Sequence, residues 1–459
     1  MSGRSEHVDG AGLRANSKNL LDAQQVDRRI LALAVPALGA LVAEPLFVLA
    51  DTAIVGHLGT APLAALSLAS TVLMTAVGLC VFLAYATTAT VARLLGAGHR
   101  DRALQAGVDG IWLALGLGAV LAAVLAVACG PLLRLLGAEP VVVDLGTTYL
   151  RASAPGLPGM LVVLAATGVL RGLQNTRTPL VVAVCGAVAN AVLNWVLVYG
   201  LHLGIGGSGA GTAVAQLGMA AALGTVVVRG ARRAGMSLAP RSAGILAQAR
   251  HGVPLFVRTL SLRAAILLTA AVAASLGEVP LAGHQVVMAV WNLVAFALDA
   301  LAIAAQALVG HSLGAGDVGA IRRLLRRTLQ WGSGAGAALG VLVAASAWWF
   351  VPLFAAGHEV RVAATLGLLV CGVLMPLAGV VFMLDGVLIG AGDGPYLAWA
   401  GIGTVLVYLP AAWAVSRWAP DGAAGLAWLW VAFAGVFLGA RAVTTWLRAR
   451  SDAWLVTGA

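Results

Sequence analysis

Glu44 and Asp51 stand inside the otherwise apolar stretch "EPLFVLADTAIVGHLGT", residues 44–60. An acid at the centre of a bilayer costs about 2.5–3.5 kcal/mol on insertion scales, so intramembrane acids mark function unless a structural partner explains them. Their spacing places the two on nearly one helix face, about two turns apart. In "NAVLNW", Asn190 and Asn194 lie at i, i+4 and again share a face. A carboxyl group in a low-dielectric cavity gains or loses charge with small changes in hydration. With amides beside it, it suits a proton, or a sodium ion held at Asp51 and Asn190. The bland alternative is a neutral Asp51 bonded to a neighbouring carbonyl.

A second set of charges follows: Arg258 and Arg263 in one apolar run, Asp299 and Asp385 in two others. At about 1.5 Å rise per residue, Arg258 matches Asp385 in depth, and Arg263 comes near Asp299. These are either ion pairs tying helices together or a second coupling or substrate-handling site. His284 and Gln285 open a run and face either the cavity or a neighbouring helix.

The elements that must position these groups are membrane helices. Of 459 residues, 61% are hydrophobic and 10% charged, where soluble domains carry about 25% charged residues. Runs of about 20 residues, enough to cross the hydrocarbon core, predict twelve spans: 31–55, 66–92, 104–128, 152–172, 180–200, 211–229, 254–276, 284–312, 329–354, 363–390, 396–417 and 424–447. They are unbroken rather than alternating, which excludes a β-barrel. The fold class is an all-α membrane protein of twelve transmembrane helices.

The chain repeats itself. "LAVPALGAL" (33–41) aligns with "HGVPLFVRT" (251–259), "HLGTAPLAAL" (57–66) with "SLGEVPLAGH" (275–284), and "GVLRGLQNT" (168–176) with "GVLIGAGDG" (386–394). Leu95-Gly96-Ala97-Gly98 pairs with Leu313-Gly314-Ala315-Gly316, and every match falls at an offset of 218 residues. An even number of spans separates the copies, so they run parallel, a transporter arrangement with a central site between the halves. This predicts two pseudo-symmetric six-helix lobes, V-shaped. The first covers 31–229 and the second 254–447, joined by a linker at 230–253, with tails at 1–30 and 448–459. The offset maps Asp51 onto Thr269 and Asp385 onto Thr167, so the halves share a scaffold without sharing chemistry.

The net charge of +10 needs no nucleic-acid partner. The basic residues fall mostly on the side of the two termini. The outer loops hold Arg134, Arg151, Arg361 and Arg417, which is the positive-inside pattern with both termini cytoplasmic. The polar N-terminal segment has no apolar signal region. The four cysteines read as small hydrophobes in apolar runs, without metal spacing. Lys18 is the sole lysine, so no Walker-type motif exists and an ATP-driven pump is excluded. "GIGGSGAG" (204–211) reads as a turn in an outer loop. "LGAGH" and "LGAGD" end spans 2 and 8 with close-packed glycines. The absence of HExxH, GxSxG and paired His–Asp motifs speaks against an intramembrane enzyme. A lipid-linked oligosaccharide flippase would line its cavity with several basic residues, where only Arg258 and Arg263 qualify.

These motifs together resemble the multidrug and toxic compound extrusion (MATE) transporters, in the DNA-damage-inducible F (DinF) branch. The marks are "EPLFVLADTAIVGHLGT", "LGAGHRDRA", "GVLRGLQNTRTPL", "PLAGHQVV", "DALAIAAQALVGHSLGAGD" and "FMLDGVLIGAGD". The resemblance implies a secondary antiporter of a bacterial plasma membrane, working by alternating access. It would export organic, often cationic or amphipathic compounds in exchange for protons or sodium. It implies that Asp51 is central to coupling. The family's fifth-helix Asn-x-x-x-Asp stands here as Asn190 and Asn194, which removes one carboxylate, makes Glu44 a candidate replacement and favours protons over sodium. Thr212 matches a family polar contact. No cofactor or resident metal is expected, and the partners are a small organic substrate and the bilayer, with a monomer the expected state.

Overall fold

The computed structural model describes residues 6–355 and 357–458, with side chains from residue 23 onward. Among the described residues, twelve helices are long and apolar enough to cross a membrane, and each overlaps one predicted span. We label them α1 (Ala23–Gly56), α2 (Thr60–Gly96), α3 (Arg100–Leu135), α4 (Pro140–Gly172), α5 (Arg177–Gly200) and α6 (Gly204–Arg233). The second lobe holds α7 (Ser242–Ser275), α8 (Glu278–Gly314), α9 (Val318–Phe354), α10 (His358–Gly390), α11 (Gly394–Trp418) and α12 (Ala423–Arg450). With an even number of crossings, both described ends of the chain lie on one face, called here the termini side.

The helices overrun the predicted spans because helical hydrogen bonding continues past the apolar run. The helix that becomes α1 begins at Glu6, inside the segment read as a tail. Beyond α12 the chain makes one further turn, Asp452–Trp454. "GIGGSGAG" is not a loop. It forms the first two turns of α6, and its glycines admit close neighbours: a Cβ on Gly209 would overlap the carbonyl of Tyr149. A membrane interior leaves no water for exposed backbone groups, so the segment satisfies them as helix.

The cores show how the lobes sit together. Away from the termini, one cluster holds Leu66, Leu83, Leu133, Leu157 and Leu161, all from the first lobe. At the same level a separate cluster of the second lobe packs Val287, Trp291, Leu368, Tyr408 and Trp430. Among the described residues the lobes share core toward the termini side, where Ile30, Leu33 and Ala86 meet Leu255, Leu308, Leu313 and Leu388, and where Ala37 packs on Ala300 and Ile303. The molecule is therefore closed on the termini side and divided on the other, an outward-facing V if the termini are cytoplasmic.

Candidate functional site

Asp51 lies in the half of α1 away from the termini and is 6% exposed, with Asn190, Asn194 and Thr212 buried around it. Helix α1 supplies the carboxylate, α5 the two amides one turn apart, and α6 the hydroxyl two turns from its start. Their hydrogen bonds close a ring. The Asn194 amide donates to one Asp51 oxygen and, at 3.4 Å, to the side-chain Oδ1 of Asn190. The Asn190 amide donates to the Thr212 hydroxyl at 3.2 Å, which in turn donates to the other Asp51 oxygen at 3.3 Å. The Tyr199 hydroxyl, donating to the Ile54 carbonyl, fastens α5 to α1 just beyond.

One feature sets the shape of the ring. A Cβ on Gly211 would fall on the Asn194 amide, so glycine there lets α6 approach α5. Among the described residues, Asn194 Oδ1 and Ser208 Oγ are buried without partners. An ionised Asp51 takes both donors as they stand. A protonated one must itself donate, and the unpaired Asn194 oxygen becomes its acceptor once the amide turns. Buried polar groups are normally paired, so this oxygen marks where the network changes with protonation. The arrangement can exchange one positive charge between a carboxylate and a set of neutral oxygens.

Glu44 is not part of the ring. Pro45 lies between it and Asp51 and leaves the Leu41 carbonyl without its helical donor. Glu44 is exposed and faces the second lobe, where it lies in the field of Arg263. Arg263, also exposed, rests against α2, where a Cβ on Gly78 would stand 2.9 Å from its guanidinium. Two uncovered charges at mid-membrane depth, one from each lobe, require water. They mark the polar part of the cleft.

In the second lobe the predicted pairing of Arg258 with Asp385 is present at 2.7 Å, and Arg441 binds the same carboxylate oxygen. The pairing of Arg263 with Asp299 is not. Five residues along a helix turn a side chain by about 140°, so Arg258 and Arg263 cannot both face α8 and α10. Asp299 instead lines a cavity of about 20 Å³ with Tyr85, Arg258, Gln306 and Asp385, room for about one water molecule. Arg171, reaching over from α4, adds a further charge near Asp299. Arg258 Nε and Asp385 Oδ1 have no partners among the described residues. His284 is buried in the second lobe's core, its ring 5.7 Å from that of Trp430, while Gln285 is exposed.

Sequence reasoning missed Arg171 and Arg441, which sit close enough to helix ends to read as interfacial. It also missed Asp109, buried in α3 beneath Arg241 of the inter-lobe linker at 2.6 Å. The repeat explains why the polar ring occurs once. At the positions of Asp51, Asn190, Asn194 and Thr212 the second lobe carries Thr269, Tyr408, Ala412 and Trp430. There the Thr269 and Tyr408 hydroxyls bond each other at 2.7 Å within an aromatic core.

Parallel six-helix repeats, a cleft open to one face and an isolated carboxylate within one lobe define a multi-pass membrane transporter built from two lobes. The MatE family profile matches the chain twice, over residues 36–196 and 254–414, segments displaced by the same 218 residues as the repeat. The chain belongs to this family of multidrug transporters and is not an enzyme. It is 31% identical to Protein DETOXIFICATION 44, chloroplastic, of Arabidopsis thaliana, over 82% of this chain and 74% of that protein. It is 27% identical to DNA damage-inducible protein F of Escherichia coli K12, covering 84% and 86% of the two chains. The Vibrio cholerae MATE transporter VcmN in its bent form superposes with a TM-score of 0.83 at 23% identity, over 93% of this chain and 96% of that one.

Proposed function

We propose that this protein is a proton-coupled efflux antiporter that exports amphipathic organic compounds by alternating access, with Asp51 carrying the proton. The observation behind this reading is the closed ring of Asp51, Asn194, Asn190 and Thr212. One carboxylate among neutral oxygens changes the site's charge by one when it takes up a proton. A ligand shifts a two-state equilibrium only by its differential affinity for the states. Proton and substrate must therefore favour opposite conformations. Proton uptake from the open side reverses a hydrogen bond of the ring, repacks α1 against α5 and α6, and narrows the cleft beneath the substrate. Release toward the termini side resets it. The exposed Glu44 and Arg263 with apolar helix faces around them suit compounds that combine a charged head with an apolar body. On this reading the termini are cytoplasmic, the membrane is a bacterial plasma membrane, no cofactor is needed, and one chain suffices because both lobes lie within it.

The deciding experiment is dye transport in inside-out vesicles with pH and sodium gradients imposed separately. Asp51→Asn should abolish proton-driven transport while leaving a monodisperse, membrane-inserted protein. Full transport by that variant, or transport driven by sodium alone, would overturn the coupling assignment.

A further inference from the structure

The motifs that end α2 and α8, LGAG at 95–98 and 313–316, are repeat mates, and in the structure they meet. A Cβ on Gly96 would collide with the carbonyl of His311, and one on Gly314 with the carbonyl of Arg93. Residues 93 and 311 are themselves repeat mates. The two helices therefore cross on the pseudo-two-fold axis, backbone against backbone, at the termini-side ends of the two lobes. Small residues allow such an approach, but these contacts supply no directional bond between the lobes.

The side chains break the symmetry. Arg93, on the first lobe, reaches across to three carbonyls of the second. Its Nε donates to Gly458 at 2.6 Å, one terminal nitrogen to Ala391 at 3.2 Å, and the other to Val456. The Gly458 amide donates to the Leu313 carbonyl at 3.1 Å, on the α8 side of the same crossing. The segment that presents these carbonyls is anchored to the second lobe. Trp454 is 3% exposed in the shared core, its indole donates to the Ala449 carbonyl at 3.1 Å, and Asp452 pairs with Arg322 at 3.5 Å.

We propose that the segment 455–458 is a latch that holds the termini side shut, with Arg93 as its catch, and that it must release Arg93 before the lobes can part on that side. This rests on the alternating-access reading, which requires the ends of α2 and α8 to separate. Bonds from a guanidinium to neutral carbonyls at the water-facing edge suit a reversible fastening, because water replaces each of them when it opens.

The test places spin labels at Arg100→Cys and Val318→Cys, repeat-related positions just beyond the two motifs, in a chain whose native cysteines are replaced by alanine. Distances are measured by pulsed dipolar spectroscopy in lipid nanodiscs. Arg93→Ala, and a chain ending at Trp454, should each raise the ratio of long to short distances about tenfold over the unaltered background. Arg93→Lys should fall between. Gly96→Ala, which wedges the crossing directly, reports whether the ends can separate at all. If Gly96→Ala lengthens the distance while Arg93→Ala and the shortened chain do not, the latch is refuted and the rocking motion stands. If none of the three changes it, the rocking motion falls and the latch with it.

Discussion

At Asp51 the decisive fact is the company a single carboxylate keeps. Two neutral donors from two other helices, Asn194 and Thr212, satisfy it when ionised, Asn190 links them, and one oxygen, Asn194 Oδ1, is left over. The prediction that isolates this geometry changes no polar atom. Gly211→Ala should push the Asn194 amide out of line and lower proton-driven transport about tenfold, equivalent to about 1.4 kcal/mol, with little change in thermal stability measured in detergent. The carboxylate of Asp385 behaves differently because two arginines share it. Removing one member of a buried ion pair leaves an uncompensated charge and costs about 3–5 kcal/mol. Asp385→Leu should therefore lower the melting temperature markedly, and adding Arg258→Leu should recover part of the loss. A double variant no more stable than the single one would show that these charges are not a structural pair.

At the scale of helices, small residues decide which faces meet. Gly332, Gly336 and Gly340 form one stripe on α9, and a Cβ on each would press against the α10 backbone at Gly379, Met375 and Gly372. Without a hydrophobic drive between helices in lipid, such close packing is a principal source of association. Gly336→Leu should separate α9 from α10 and yield a protein that loses its monodisperse peak in size-exclusion chromatography. Gly334, on the same helix, has open space where its Cβ would go. Gly334→Ala should be neutral or slightly stabilising, since alanine is favoured over glycine in helices by about 1 kcal/mol.

At the scale of the whole molecule, the shared core on the termini side and the separate cores on the other define which face the cleft opens to. Glu44 and Arg263 lie in that cleft. A cysteine at Arg263→Cys should react with a membrane-impermeant maleimide added from the face opposite the termini. From the termini side it should be protected until the lobes rock. Equal labelling from both faces in a gradient-free membrane would contradict the closed arrangement. The inter-lobe linker is fastened to α3 through Asp109 and Arg241.

The sequence by itself determined the number of helices, their order, the repeat and its offset, because hydrophobic length and register are local or periodic properties. It also pointed to Asp51, Asn190 and Asn194, since a polar group in an apolar run stands out whatever packs against it, whereas Thr212 came only from the family resemblance. Only the tertiary structure decided which of these meet. Glu44 left the ring, Arg263 left Asp299, and "GIGGSGAG" became helix. Arg171, Arg441 and Arg93 gained roles that their places near helix ends had concealed. The physical reason is that burial and pairing depend on the rotation of each helix about its own axis and on how closely neighbours approach. Prolines and glycines set those quantities, and their effect is expressed only when the lobes are packed together.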